Sequence, residues 1–144
     1  QPGSGWGRSS EEDENRRSVY IHVKRSLLTP LLSAFDLPEP DRSCEARFTT
    51  LQPGQALALL NGDFIHQQAS RLAAAIEADT IQDDGEIVRR AIRTVLAREA
   101  TASEIAEAVE LMSELRELHK LSRRNSIDLF CLTVLNWNEF AFLD

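Results

Sequence analysis

From Pro53 to Leu135 the apolar residues recur at helical spacing, and polar punctuation divides the run into five predicted helices. The first opens near Pro53, a good first-turn residue because it has no N–H to leave unpaired. It stops at Asn61-Gly62, a helix-ending pair. The second runs from about Asp63 to Ala78 and places Ile65, Ala69, Leu72, Ala73 and Ile76 on one face. A loop over Asp79 to Gly85 separates it from the third. There Ile87, Val88, Ala91, Ile92, Val95 and Leu96 face inward, and Arg89, Arg90 and Arg93 face outward.

The fourth predicted helix begins at Thr101. Thr101 and Glu104 have the spacing of a capping box, in which each side chain satisfies the other's backbone N–H. Its inner face is Ile105, Ala108, Val109, Met112 and Leu115, and its outer face is Glu107, Glu110, Glu114 and Glu117. The fifth is capped by Asn125 or Ser126 and runs through Leu135, with Ile127, Phe130, Cys131, Val134 and Leu135 in its apolar stripe. The tail from Asn136 to Asp144 is expected to pack back. Its aromatics Trp137, Phe140 and Phe142 suit the lid of a core, and also suit stacking on a sugar.

The first fifty residues carry no such period. Residues 1 to 15 are rich in Gly, Ser and acid and are expected to be a poorly ordered linker. Ser18 to Val23 reads as a short extended or helical piece, and its β-branched residues lean towards extended. Pro30, Pro38 and Pro40 exclude a long helix across residues 30 to 40. The pattern therefore predicts an all-α fold: a compact bundle of about five helices, with an irregular N-terminal third wrapped on it. Residues 16 to 144 are expected to form a single helical domain. The opening QPGSGWGRSSEEDEN lacks an initiator Met, so the chain is expected to be a piece of a longer polypeptide.

Composition narrows the chemistry. The chain has 144 residues and a net charge of −7, with 42% hydrophobic residues. That is enough apolar content to bury a core. An acidic chain is a poor partner for nucleic acid, since phosphate contacts need a basic face. No run of 18 apolar residues suggests a membrane span. Two cysteines, Cys44 and Cys131, allow at most one internal disulfide, and Cys131 lies in a helical stripe where it reads as a small buried hydrophobe.

Polar residues concentrate between Phe35 and Asn61 and in a basic stretch just before. Arg17, Lys24, Arg25 and Arg47 fit an anionic ligand, because guanidinium forks grip such groups in two-pronged fashion. The other reading is that Arg25 or Arg47 pairs with Asp36 or Glu139 inside the fold, and this stapling role is the favoured one. Thr50, Gln55 and Asn61 suit helix capping and loop tethering better than ligand binding. Asp36, Asp41 and Glu45 lie close in sequence, but acid–base work needs two carboxyls in different environments across a substrate. His22, His66 and His119 have no metal-ligand spacing. No catalytic residue or metal ligand is assigned. There is no C-x-x-C-H segment to attach a c-type haem and no G-x-S-x-G or Walker loop.

The stretch RRSVYIHVKRSLLTPLLSAFDLPEPDRSCEARFTTLQPGQALALLNGDFIHQQA resembles the domain of unknown function 1553. The resemblance is carried by Arg16, Arg17, Tyr20, Arg25, Pro30, Phe35, Asp36 and Pro38. It continues through Cys44, Arg47, Thr50, Pro53, Gln55, Ala56, Leu57, Leu60 and Asn61. IVRRAIRTVLAREATASEI is similar to the family's arginine-containing helix end and the helix start after it. LFCLTVLNWNEFAFLD is similar to its closing segment. One departure matters: Ala97 and Ala100 stand where the family usually has Gly and Pro, which puts a left-handed helix cap at Ala97 in doubt.

The resemblance implies the C-terminal region of large planctomycete proteins that carry a cytochrome-c-like domain. It implies an exported, extracytoplasmic setting and no established activity. A haem, on this reading, belongs to a separate domain. The expected function is that of a helical module that packs on or binds an upstream domain or a ligand. The alternative is a share in a composite enzyme site acting on acidic or sulfated polysaccharide. The polar cluster Arg17, Tyr20, Arg25, Asp36, Arg47, Thr50, Gln55 and Asn61 would then hold the anionic glycan.

Overall fold

The computed structural model describes residues 30–35, 53–77 and 82–141. All regular structure among them is helical. The chain divides into two units, Gln1–Thr50 and Leu51–Asp144. In the first, the described element is a short helix, α1 (Pro30–Ala34), closed by the Phe35 N–H donating to the Leu32 carbonyl. Its shortness accords with the prolines around it. The rest of the irregular third, including the proposed extended piece at Ser18 to Val23, lies outside the described residues.

The second unit holds α2 (Pro53–Asn61), α3 (Asp63–Glu77), α4 (Asp84–Leu96), α5 (Ala102–Glu117), α6 (Arg123–Leu135) and α7 (Asn138–Ala141). The five long elements are the five that the periodicity predicts. Helix α6 packs against α3, α4 and α5, and α2 and α7 lie at the margins. This central position explains why α6 buries Ser126, Ile127, Phe130, Cys131, Leu132, Val134 and Leu135, an arc too wide for a single stripe. Ile87, Val88, Ala91 and Ile92 of α4, Met112 of α5 and Ala69, Ala73 and Ile76 of α3 complete the core. The glutamates Glu107, Glu110, Glu114 and Glu117 face water, as predicted.

The helix ends show how local chemistry sets the boundaries. Asp83 caps α4, its carboxylate accepting from the N–H groups of Gly85 at 3.2 Å and Glu86 at 3.1 Å, so the helix starts inside the expected loop. The Thr101–Glu104 capping box is present in full. For α6 the cap is Ser122, whose hydroxyl accepts from the Asn125 N–H at 3.1 Å, and neither Asn125 nor Ser126 fills that role. Starting earlier lets Ser126 turn inward, where its hydroxyl donates to the Arg123 carbonyl at 2.7 Å and is satisfied though fully buried.

One turn runs against sequence expectation. Ala97 adopts the left-handed conformation (φ 54°, ψ 28°) although it is not Gly, and its N–H donates to the Arg93 carbonyl at 3.0 Å. Gly62 follows the end of α2 where the sequence predicts it, without a left-handed turn. No glycine among the described residues has a positive φ. The Gly62 N–H donates to the Ala58 carbonyl at 3.0 Å, and the His66 N–H donates to the Gly62 carbonyl at 3.2 Å. The first bond closes α2 and the second opens α3, with Gly62 between the two helices and in neither. Gly is needed there for closeness: a Cβ at position 62 would sit 2.4 Å from the Ala58 carbonyl oxygen.

Candidate functional site

Of the eight residues singled out as a polar cluster, Gln55 and Asn61 fall in the described part. Arg17, Tyr20, Arg25, Asp36, Arg47 and Thr50 lie outside it. Gln55, in the first turn of α2, is turned inward and only 6% exposed. Asn61 ends α2 on the solvent side. The two are therefore not brought together.

The face of α2 opposite Gln55 is apolar and open. Leu57 is 58% exposed, Leu60 55%, and Phe64, in the first turn of α3, 46%. The i, i+3 spacing sets Leu57 and Leu60 on one face of α2, and Phe64 follows just beyond the Gly62 junction. The sequence of α2, PGQALALLN, contains no charged residue at all. A helix with an amide inside and leucines outside inverts the arrangement expected at a water-facing surface. The Asn136 side-chain amide, at the end of α6, donates to the Leu59 carbonyl at 3.4 Å and to the Leu132 carbonyl at 2.8 Å, tying α2 to the body. The His66 ring lies 3.0 Å from the Leu60 carbonyl, next to the same face.

Elsewhere in the second unit, charged groups gather in networks that satisfy themselves, two of which join separate elements. At one, Arg98 forks to both oxygens of Glu139 (2.7 and 2.8 Å) and both oxygens of Glu104 (2.7 and 3.0 Å), and donates to the Glu99 carbonyl at 3.1 Å. All five guanidinium N–H donors are thereby engaged. Glu104 also accepts from the Thr101 N–H at 2.7 Å and its hydroxyl at 2.9 Å. The bonds from Arg98, then the backbone bond from Thr101, hold Glu104 down at about 2. Arg98 likewise depresses Glu139, and the two carboxylates raise Arg98 further above its usual range. Arg93 pairs with Glu99 alongside.

The second network joins the ends of four helices. Asp84 of α4 accepts from Arg116 of α5 at 2.6 Å and Arg123 of α6 at 3.0 Å. Arg124 donates to Glu77 of α3 at 2.7 Å, to Asp128 at 3.0 Å and to the Ser70 carbonyl at 2.6 Å. Burial alone would push the Asp84 carboxyl up, but the hydrogen bonds and charges of Arg116 and Arg123 outweigh it, and its affinity for a proton falls below the usual range. Burial would similarly lower Arg124, and Glu77 and Asp128 more than compensate. Cys131, buried beside this network with a free thiol, is pushed up to about 12, first by burial and then by Asp128. A thiol so held is a packing group and a poor nucleophile.

The sequence reading offered Glu139 as a partner for Arg25 or Arg47. In the structure its partner is Arg98, a residue that the reading did not single out. A signal existed: Arg98 stands six positions before the capping-box glutamate, on the loop that must bring that carboxylate within reach. For α2 the signal was the wholly uncharged sequence. Among the described residues no three His, Cys, Asp or Glu side chains converge as a metal ion would require, and no helix is long and apolar enough to cross a membrane.

Comparison with known families places the chain. The family described as "PSD1: Protein of unknown function (DUF1553)" matches residues 1–112. The chain belongs to this family. No curated protein and no solved structure matches the chain. The DUF1553 match takes in α1 to α4 and α5 as far as Met112, and ends before α6. The open α2 face and the capping box therefore lie within the DUF1553 segment. The central helix α6 and Glu139 lie beyond it.

Proposed function

We propose that this DUF1553 chain is a non-catalytic helical module that docks an upstream domain of the same polypeptide through Leu57, Leu60 and Phe64. The observation that carries the reading is the inverted α2 face: Leu57 and Leu60 exposed on a helix without charge, with Gln55 turned inward and Phe64 exposed at the start of α3. Contiguous exposed apolar side chains mark interaction surfaces, because leaving them in water forgoes their burial. The charge networks support the same reading. Glu104 at about 2 and Cys131 at about 12 are shifted away from the values a general acid or a nucleophile needs near neutral pH. Their chemistry is that of staples. The exported, extracytoplasmic setting, and a haem on a separate domain, rest on the family resemblance.

The test is binding in trans. The upstream region of the parent polypeptide is expressed separately and titrated into the 144-residue chain by calorimetry. The reading expects saturable binding that falls at least tenfold in Leu57→Ser/Leu60→Ser/Phe64→Ser, with the thermal midpoint within about 2 °C of the parent, since substitutions at exposed sites have small effects on stability. Unchanged binding in the triple variant, or none to begin with, rejects it. Binding lost instead in Arg47→Ala, together with turnover of an acidic glycan by the full-length parent, would favour the composite enzyme site.

A further inference from the structure

We propose that α7 is an ionic latch: a C-terminal strap that Arg98 fastens to the bundle through Glu139 and that opens without unfolding the body. Helix α7 is four residues long and buries none of its side chains. So short a helix cannot sustain itself, because nucleation costs more than so few hydrogen bonds return. Its internal bonds converge on one acceptor, the Trp137 carbonyl, at 3.0 Å from both the Phe140 and Ala141 N–H groups. It packs at the edge of α4 and α6, with Trp137 partly buried against the core and Phe140 largely in solvent. Across this weak element the structure places a two-pronged ion pair, Arg98 to both oxygens of Glu139.

What makes the contact a latch is the second claim on Arg98. When Glu139 leaves, the guanidinium keeps its fork to Glu104 and its bond to the Glu99 carbonyl, so no cation is stranded. Glu104 in turn keeps its two Thr101 donors, and the first turn of α5 stays capped. Glu139, half in solvent, passes to water. Both states are thus electrostatically satisfied, which a buried ion pair would not allow. An exposed pair of this kind is screened by salt, so ionic strength shifts the balance towards the open state. The inference is independent of the docking role of α2.

Hydrogen exchange on the whole chain tests it, at about 20 mM and about 500 mM salt, where the screening length falls from roughly 20 Å to a few ångströms. The expected result is that Glu139→Gln speeds exchange at residues 138–141 several-fold and abolishes its salt dependence, while the amides of α5 and the thermal midpoint stay as in the parent. In a Trp6→Phe background, acrylamide should quench Trp137 more readily in the same variant. Glu99→Gln, which breaks the neighbouring Arg93 pair, should leave the latch closed. Equal exchange at 138–141 in Glu139→Gln and parent overturns the proposal. So does uniform acceleration across α3 to α6, which would make Glu139 a global staple, or the same opening in Glu99→Gln.

Discussion

Replacing Ala97 by Gly should make this protein more stable, although the substitution removes a methyl group and adds backbone freedom. Ala97 sits at φ 54°, ψ 28°, where an L-residue crowds its Cβ against the backbone. That crowding costs about 1–2 kcal/mol, and Gly does not incur it. Against this, Gly loses more conformational entropy on folding, a penalty of roughly 0.5–1 kcal/mol relative to Ala. The methyl group is exposed, so its removal opens no cavity. The balance is a gain of about 0–1.5 kcal/mol, centred near about 0.8 kcal/mol, or a rise of roughly 2–3 °C in Tm for a chain of this size. Urea titration with a two-state fit measures it, and the slope of the transition should not change. Ala97→Val supplies the opposite sign, because a β-branched residue is a severe outlier at positive φ. Lys120 has φ 55° and is also exposed, so Lys120→Gly should gain a similar amount. The two turns flank α5, whose 16 residues span about 24 Å, far enough apart for the gains to add. A fall in stability for Ala97→Gly would mean that the left-handed turn is not strained, and the reasoning from φ would be wrong.

Gly62→Ala should destabilise by about 1–3 kcal/mol, because the new Cβ meets the Ala58 carbonyl 2.4 Å away and must bend the α2–α3 junction. Circular dichroism melts would show the loss, and a neutral outcome would mean the junction has slack. Phe130→Ala should cost about 3–5 kcal/mol in a urea titration, since Phe130 is buried at the centre of α6. Glu104 titrates at about 2 folded against about 4.5 unfolded, so its contribution is fully present above about pH 4.5 and is lost as pH falls towards 2. Urea midpoints at pH 5 and pH 3 should therefore diverge, and Glu104→Gln should shrink that difference. In a Cys44→Ser background, Cys131 should react with a thiol reagent at pH 8 only on unfolding; rapid labelling of the native chain would contradict its burial and its pKa near 12.

The helices were legible because each carries its own local signals. The stripe Ile87, Val88, Ala91, Ile92 names a buried face, and Thr101 and Glu104 cap a helix using neighbours three residues apart. The Arg98 hub was not legible in the same way. Its second carboxylate, Glu139, lies 41 residues away in sequence, and no local pattern chooses among the carboxylates that an arginine might meet. The α2 face was half legible: the uncharged run was visible, but helical spacing alone does not say which side turns outward.

Sequence by itself determined that this is a helical protein, where its five long helices fall, and which residues have an inward face, because propensity, periodicity and capping act over a turn or two of chain. Tertiary structure alone decided that α6 lies at the centre, that Ala97 accepts a left-handed turn, that Glu139 answers to Arg98, and that Leu57, Leu60 and Phe64 stay in water. Those outcomes depend on which surfaces meet across loops. That choice is made by the summed burial of the whole core and by charge pairing between distant residues, quantities that no short window of sequence contains.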